Sequence, residues 1–118
     1  MILHITTRAA WEDAQAARVY RAPSLETEGF IHFSTAAQVT RVADAFYRGE
    51  PDLVLLVVDP KRVQSPVRYE PPAEDATSGE RFPHLYGTLN LDAVTDVVPF
   101  PPNADGSFSL PEKLARLR

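Results

Sequence analysis

Two of the three histidines in this chain lie in near-copies of one short motif. The copies read His4-Ile5-Thr6-Thr7 and His32-Phe33-Ser34-Thr35, and each follows an apolar run and precedes a helical pattern. In an extended strand, residues two apart project from the same face. We therefore expect His4 to lie beside Thr6, and we expect His32 to lie beside Ser34. An imidazole next to a hydroxyl group, twice, at the end of a strand predicts a site that binds a polar ligand.

The third histidine lies in a later segment that reads Phe82-Pro83-His84-Leu85-Tyr86-Gly87. We take His84 as a candidate catalytic residue, together with His4 and His32. Tyr86, two residues further on, either stacks on a flat ligand or fills the core. A histidine at a strand end is also commonly a structural residue, so a structural role stays open for each of the three.

Other kinds of active site find little support in the spacing of these residues. Three neutral imidazoles and a water would form an open zinc site, but no two histidines lie one helical turn apart, and we predict no metal site. Ser34 lacks the flanking glycines that expose the nucleophile of many hydrolases. Neither of the two common glycine-rich phosphate loops is present.

The composition is typical of a globular protein. The chain has 118 residues, of which 44% are hydrophobic and 24% are charged, and this length predicts a single domain over residues 1–118. A formal net charge of −4 argues against nucleic acid as a partner, because phosphate backbones favour a basic surface. The chain has no cysteine, which excludes disulfides, thiol catalysis and cysteine-ligated zinc.

The apolar segments give expectations about location. No apolar stretch approaches the roughly 20 residues that span a bilayer, and the N-terminus lacks a basic segment followed by an apolar signal core. We therefore expect no membrane association and a cytoplasmic location. No heptad pattern indicates a coiled coil, so the oligomeric state is left open.

The pattern of apolar residues predicts helices mainly before residue 50. Strands are expected at residues 2–6 and 30–34, each followed by a helix. Thr7 is available as the N-cap of the first helix, at residues 8–18. Thr35 and Gln38 have the spacing of a capping box for the second helix, which Gly49 and Pro51 end.

Strands dominate the second half of the prediction. The run at 53–58 is apolar throughout and rich in β-branched residues, which indicates a central strand buried on both faces. Further strands are predicted at residues 67–70, 82–91 and 95–100, with an acidic loop at 71–81 and a short helix opened by Pro111. This order favours an α+β fold over a regular alternation of strands and helices.

Several of these motifs together resemble one known family. The string Gly29-Phe30-Ile31-His32-Phe33-Ser34-Thr35, the opening Leu3-His4-Ile5-Thr6 and the late Pro83-His84-Leu85-Tyr86-Gly87 resemble the domain of unknown function 952 family. That family is similar to the ADP-ribosyltransferase-like superfold and is nearest to the RNA 2′-phosphotransferases. The resemblance implies a split pair of small β-sheets with helices packed around them.

The resemblance also implies an NAD cleft. In the relatives, a His-Gly-Thr phrase on the first strand and a histidine followed by leucine and serine on the second line that cleft. Here His4 and Thr6 match the first phrase, and His32 and Ser34 match the second. The implied ligand is NAD or ADP-ribose, with Tyr86 beside it, and the implied reaction is ADP-ribosyl transfer or NAD glycohydrolysis.

Three departures from the relatives are visible in the sequence. Ile5 stands where the relatives have the glycine of the first phrase. The chain begins directly at the first strand, so we do not expect RNA phosphotransfer. The protein-modifying transferases use a late-strand glutamate to activate the acceptor, whereas Glu80 lies in the loop predicted before the strand at 82–91, so the acceptor-activating residue is left unidentified.

Two functions from different classes follow. One is an NAD-using transferase or glycohydrolase. The other is a non-catalytic module that binds a nucleotide or another small metabolite in the same cleft.

Overall fold

The computed structural model of the protein describes residues 1–72 and 74–116. Residue 73, inside the loop predicted at 71–81, and residues 117 and 118 lie outside the described part. The strands are β1 (Ile2–Thr7), β2 (Val19–Tyr20), β3 (Ile31–His32), β4 (Leu53–Val58), β5 (Val67–Glu70), β6 (Phe82–Leu85), β7 (Leu89–Asn90) and β8 (Val94–Pro99). The α-helices are α1 (Arg8–Ala17), α2 (Ser24–Thr27), α3 (Val39–Phe46) and α4 (Glu112–Ala115), and a 3-10 turn spans Leu91–Ala93.

The strands form small antiparallel sheets. One three-stranded sheet has the order β1-β4-β8, a second has the order β3-β6-β5, and β2 pairs with β7. Among the described residues, one isolated backbone bridge joins the two larger sheets, where Leu3 and Ser34 exchange two hydrogen bonds of 2.8 Å. The predicted α+β class is confirmed at this level.

The central strand β4 separates two hydrophobic cores. All six of its residues are buried, as the sequence predicts. Val54, Leu56 and Val58 pack into the first core, and Leu53, Leu55 and Val57 pack into the second. Alternation of side chains along an extended strand therefore lets one apolar run serve both sides of the sheet.

The neighbouring strand β1 follows the same alternation. Leu3 and Ile5 enter the second core, whereas Ile2 packs into the first. His4 and Thr6 share the face of Ile2 and are both buried. His4 and Thr6 occupy positions where the alternation would otherwise place apolar residues of the first core. β1 therefore presents polar groups on that face.

The helix signals of the sequence are confirmed in part. Thr7 caps α1, with its Oγ1 accepting a 3.0 Å hydrogen bond from the backbone N–H of Ala10. In the predicted capping box, Gln38 Oε1 accepts from the backbone N–H of Thr35 at 3.0 Å. A full capping box also needs the Thr35 hydroxyl to accept from the Gln38 backbone N–H. Here that N–H donates to the Thr35 carbonyl instead, and α3 begins only at Val39.

The strand predicted at 82–91 is wrong as one element. It is interrupted after Leu85 by Gly87, whose φ of +154° and close approach to Ser65 break the extended run into β6 and β7. The strand predicted at 30–34 is shorter than expected, since β3 spans Ile31–His32 and Ser34 joins only through the bridge to Leu3. Two very short elements, β2 and α2, have no counterpart in the predicted pattern.

In the described part of the chain, no helix has both the length and the apolar character needed to cross a membrane.

Candidate functional site

A groove of about 810 Å³ lies where the two larger sheets meet. Its walls come from β1, β2, β3 and β6, from the α2 segment and from one side of α3. The histidines and hydroxyl groups singled out in the sequence supply much of its polar lining. The predicted site residues in the groove wall are His4, Thr6, His32, Ser34 and His84.

His4 is a buried member of a hydrogen-bonded chain. Its Nδ1 lies 2.6 Å from the backbone carbonyl oxygen of His32, and because a carbonyl can only accept, Nδ1 carries the proton. Burial lowers the pKa of His4 to about 4, so the ring is neutral at neutral pH. Its Nε2 therefore accepts a hydrogen bond from the Tyr20 hydroxyl, 2.7 Å away.

Tyr20 links this imidazole to the hydroxyl group of Thr6. The Tyr20 oxygen and Thr6 Oγ1 are 3.0 Å apart. Burial raises the pKa of Tyr20, so the phenol stays protonated and donates its hydrogen bond to His4 Nε2. The hydrogen bond between Tyr20 and Thr6 then runs from the threonine hydroxyl to the phenol oxygen. Both nitrogens of His4 are thus satisfied by the protein itself.

His32 has a different environment from its counterpart in the first motif. Its side chain is 49% exposed, and its Nε2 lies 2.9 Å from Glu28 Oε2. The ring meets Phe30 edge-on, with centroids 4.8 Å apart. The two motifs are therefore adjacent in space, but His4 reaches the main chain of His32 and not its imidazole. Of the two motif histidines, His32 is the one whose imidazole is open to a ligand.

Ser34 stands beside His32 on the groove wall but is mostly covered. Its residue is 5% exposed, and its backbone forms the bridge to Leu3. The bridge fixes Ser34 at the junction between the two sheets.

His84 is placed opposite His32 on the paired strand. Its ring is stacked on Phe30, with centroids 4.0 Å apart and planes 16° apart. Its Nδ1 lies 2.9 Å from Glu70 Oε1. The ring centroids of His32 and His84 are 5.5 Å apart. His32 and His84 both line the groove. Each is paired with a carboxylate from outside its own sequence motif, His32 with Glu28 and His84 with Glu70.

Glu70 is held as a carboxylate by its two donors. The Tyr86 hydroxyl donates to Glu70 Oε1 at 2.5 Å, and this bond and the one from His84 lower the pKa of Glu70. Tyr86 lies outside the groove lining, with Arg68 5.2 Å from its ring centre. This position does not favour the predicted stacking of Tyr86 on a ligand, since its hydroxyl reaches the site only through Glu70.

The charged residues of the groove wall have mixed signs. Arg21 is the one arginine or lysine among the described residues that line it, and the carboxylates are Glu28, Glu50 and Glu74. An exposed aromatic side chain, Phe46, borders the same groove and is 66% exposed. The wall is therefore suited to a ligand that carries positive and negative groups together with a flat ring.

Glu80 lies outside the groove lining. It accepts hydrogen bonds from Arg41 and from Gln38 Nε2, and the Arg41 guanidinium lowers the pKa of Glu80. Gln38 also donates to the backbone carbonyl of Arg81 at 2.7 Å. Glu80 thus helps to fasten the end of the 71–81 loop to the start of α3.

Within residues 1–72 and 74–116, no three histidine, aspartate or glutamate side chains are grouped so that they could hold a metal ion.

Sequence reasoning missed three residues that organise the site. Glu28 lies four residues before His32, a spacing that could have suggested the pair. Glu70 and Tyr20 carry no comparable signal, because each meets its histidine only through tertiary pairing.

Comparison with known proteins places the chain in a family. Residues 5–97 match the family described as protein of unknown function (DUF952). The chain belongs to the DUF952 family. It is similar in sequence and fold to CC0527 from Caulobacter crescentus.

Three solved structures of CC0527 superpose on this DUF952 chain. The X-ray structure is 33% identical, covers 97% of each chain and has a TM-score of 0.85. The X-ray structure of a double mutant has the same identity and coverage, with a TM-score of 0.84. The solution NMR structure is 32% identical, covers 98% of this chain and 97% of that chain, and has a TM-score of 0.74. No curated protein matches the chain.

Proposed function

We propose that the groove binds NAD and that the protein breaks its nicotinamide–ribose bond, with transfer of ADP-ribose to an acceptor or to water. The observation that carries the proposal is the groove itself, which places the polar residues of both sequence motifs in one wall between two small sheets. Its volume of about 810 Å³ is in the range that small-molecule and cofactor sites occupy.

The charges in the wall support this ligand. NAD has a cationic pyridinium ring and an anionic pyrophosphate. Arg21 is available to the pyrophosphate, and the carboxylates of Glu28, Glu50 and Glu74 favour the cationic part. Departure of nicotinamide leaves an oxocarbenium-like ribose, which nearby carboxylates stabilise electrostatically. Orientation and charge placement can drive this reaction without a strong protein nucleophile.

The architecture supports the same proposal. Two small sheets that meet at the backbone bridge between Leu3 and Ser34, with helices around them, agree with the split sheets of the ADP-ribosyltransferase-like superfold and its RNA 2′-phosphotransferase members. This support is an analogy of fold, and the site residues must carry the chemistry.

The buried chain modifies the role first expected for His4 and Thr6. Since both nitrogens of His4 are engaged, we assign His4 the task of shaping the wall and holding the His32 main chain. His32 and Ser34 remain in position to contact a ribose or a phosphate directly. The neutral form of an imidazole suits ribose hydroxyls, because one nitrogen donates and the other accepts.

Calorimetric titration with NAD and with ADP-ribose, followed by an assay for released nicotinamide, tests the proposal. We expect both ligands to bind and NAD to be cleaved. If neither NAD nor ADP-ribose binds, the nucleotide site is refuted.

A matched pair of variants locates the ligand. Arg21→Gln is expected to weaken ADP-ribose binding about tenfold, the effect of losing one charge-assisted hydrogen bond. Arg62→Gln, which removes a surface arginine paired with Asp59, is the control and should bind normally. Equal affinity in the two variants would place the pyrophosphate elsewhere.

The non-catalytic module is the second candidate function. The observation that favours it is the closed hydrogen-bonding of His4, which leaves this imidazole no free nitrogen for chemistry. Binding of NAD without release of nicotinamide would support this function over catalysis.

A further inference from the structure

We propose that His84, oriented by Glu70, is the general base that deprotonates the hydroxyl acceptor of the ADP-ribosyl group. The proposal rests on the NAD-cleaving function above and supplies the acceptor-activating residue that the sequence motifs do not provide. Four observations carry it: the tautomer of His84, the accessibility of one nitrogen, the fixed ring plane and the position in the groove.

The tautomer follows from the partner of Nδ1. Glu70 is an ionised carboxylate, because the hydrogen bond from the Tyr86 hydroxyl holds its pKa below the ordinary value of 4.5. A carboxylate can only accept, so the His84 nitrogen 2.9 Å away carries a proton. In the neutral ring, Nε2 then has the free lone pair that a general base needs.

This nitrogen is reached by solvent although the residue is 3% exposed. Within residues 1–72 and 74–116, every fully buried side-chain nitrogen and oxygen has a hydrogen-bond partner. Nε2 of His84 has no partner in the same part of the chain, so it is not fully buried. Because His84 lines the groove, we infer that this nitrogen opens onto it.

The ring is held in one orientation by its neighbours. Phe30 covers one face of the His84 imidazole at a centroid distance of 4.0 Å. The hydrogen bond between Nδ1 and Glu70 Oε1 prevents the imidazole from turning over. Glu70 is itself fixed by Tyr86. Glu70 is therefore a positioning residue, and it also stabilises the imidazolium that forms, as the acidic member of a catalytic triad does.

The charged and titratable groups around His84 come from both neighbouring strands. Glu70 and Arg68 lie on β5, where Arg68 is the register partner of His84. His32 lies opposite on β3 and is itself paired with Glu28. Of these groups, Glu70 is in hydrogen-bond contact with the His84 side chain.

The reaction balances with water as the simplest acceptor. The bond between ribose C1′ and the nicotinamide nitrogen breaks, and its electron pair leaves with the nicotinamide, which becomes neutral. The water oxygen forms the new bond to C1′, and the water proton passes to Nε2 of His84. The proton is then released to solvent, so that ADP-ribose, nicotinamide and one proton are the products.

The first test is kinetic and compares Glu70→Gln with Glu12→Gln, an exposed carboxylate on α1 outside the groove. We expect Glu70→Gln to lower kcat for nicotinamide release at least about tenfold with little change in KM, as loss of general-base assistance does. Glu12→Gln should match the wild type.

The second test needs no substitution and no NAD. Nitrogen chemical shifts of the imidazoles in the wild-type protein report which nitrogen of each ring is protonated. We expect His84 to carry its proton on Nδ1, and a proton on Nε2 at neutral pH would overturn the proposal.

The outcomes separate the two proposals. If the wild type cleaves NAD and Glu70→Gln behaves like Glu12→Gln, the base is another group and the proposed function stands. If the wild type neither binds nor cleaves NAD, the proposed function fails and the role of His84 fails with it.

Discussion

His4 shows how one buried group can set the directions of its neighbours' hydrogen bonds. Its Nδ1 must donate to the His32 carbonyl, which leaves Nε2 to accept from Tyr20. Thr6 completes the chain at 3.0 Å from the phenol oxygen. A proton on His4 Nε2 would oppose this arrangement, because Nε2 could then no longer accept the hydrogen bond from the Tyr20 hydroxyl.

The neutral state of His4 predicts a pH dependence of stability. The pKa of His4 falls from 6.5 to about 4 on folding, so the unfolded chain binds the extra proton between these values. Stability from this group is present above pH 6.5 and is lost as the pH falls towards 4. We expect about 2–3 kcal/mol of unfolding free energy to be lost between pH 7 and 4.5, measured by urea denaturation.

Substitutions isolate this effect from the titration of carboxylates. His4→Gln should remove most of the slope between pH 6.5 and 4.5, whereas His32→Gln, which removes a half-exposed imidazole, should keep it. An unchanged slope in His4→Gln would assign the dependence to other groups.

The candidate site could be predicted in location but not in detail. The alternation of strand residues was sufficient to place His4 beside Thr6, and the repeated motif indicated that His32 belonged to the same region. The sequence could not show that one imidazole is buried and the other exposed, because this depends on Tyr20 and Glu28. Those partners lie in β2 and just after α2, elements too short to leave a periodic pattern.

At the level of elements, one glycine divides the second half of the chain. Gly87 separates β6, which pairs with β3 and β5, from β7, which pairs with β2. A Cβ atom at this position would lie 2.2 Å from Ser65 Oγ and 2.7 Å from Ser65 Cβ. The chain changes sheets at this point because the backbone can approach Ser65 only without a side chain.

Gly87→Ala should therefore destabilise the protein by roughly 2–4 kcal/mol, from backbone strain and steric overlap together. Ser65→Gly in the same chain should recover the overlap part and leave the strain. Gly79→Ala is the control, since no atom of the described residues lies within 4 Å of its added Cβ. Thermal denaturation measures all three, and a neutral Gly87→Ala would contradict this account of the break.

The longer elements were predictable because their signals are local. β4 and β5 have the bounds that their apolar and flanking residues indicate, and α1 starts where Thr7 can cap it. The break at residues 86–88 was not predictable, since the sequence around Gly87 does not reveal that Ser65 lies against it.

At the scale of the whole molecule, β4 makes the two cores depend on each other. Leu55 and Leu56 are adjacent in sequence and fully buried, yet they pack on opposite sides of the sheet. Loss of order in this strand would remove a wall from each core at once. The protein should therefore unfold as one cooperative unit.

Leu55→Ala and Leu56→Ala test this coupling. Each should cost about 2–5 kcal/mol, as for other buried leucines. In both variants, the fluorescence of Trp11, which packs against the first core, and the far-UV circular dichroism should change at the same denaturant concentration. A Leu55→Ala variant in which Trp11 unfolds separately would show that the cores are independent.

The junction between the two larger sheets has a mechanical consequence. In the described part of the chain, their backbones are joined at Leu3 and Ser34 by two hydrogen bonds. The His4 imidazole also donates to the His32 carbonyl, and both sheets contribute side chains to the first core, so the junction should resist relative movement of the sheets. A ligand bound across both sheets should stabilise the junction further, and hydrogen exchange of the Leu3 and Ser34 amides should then slow.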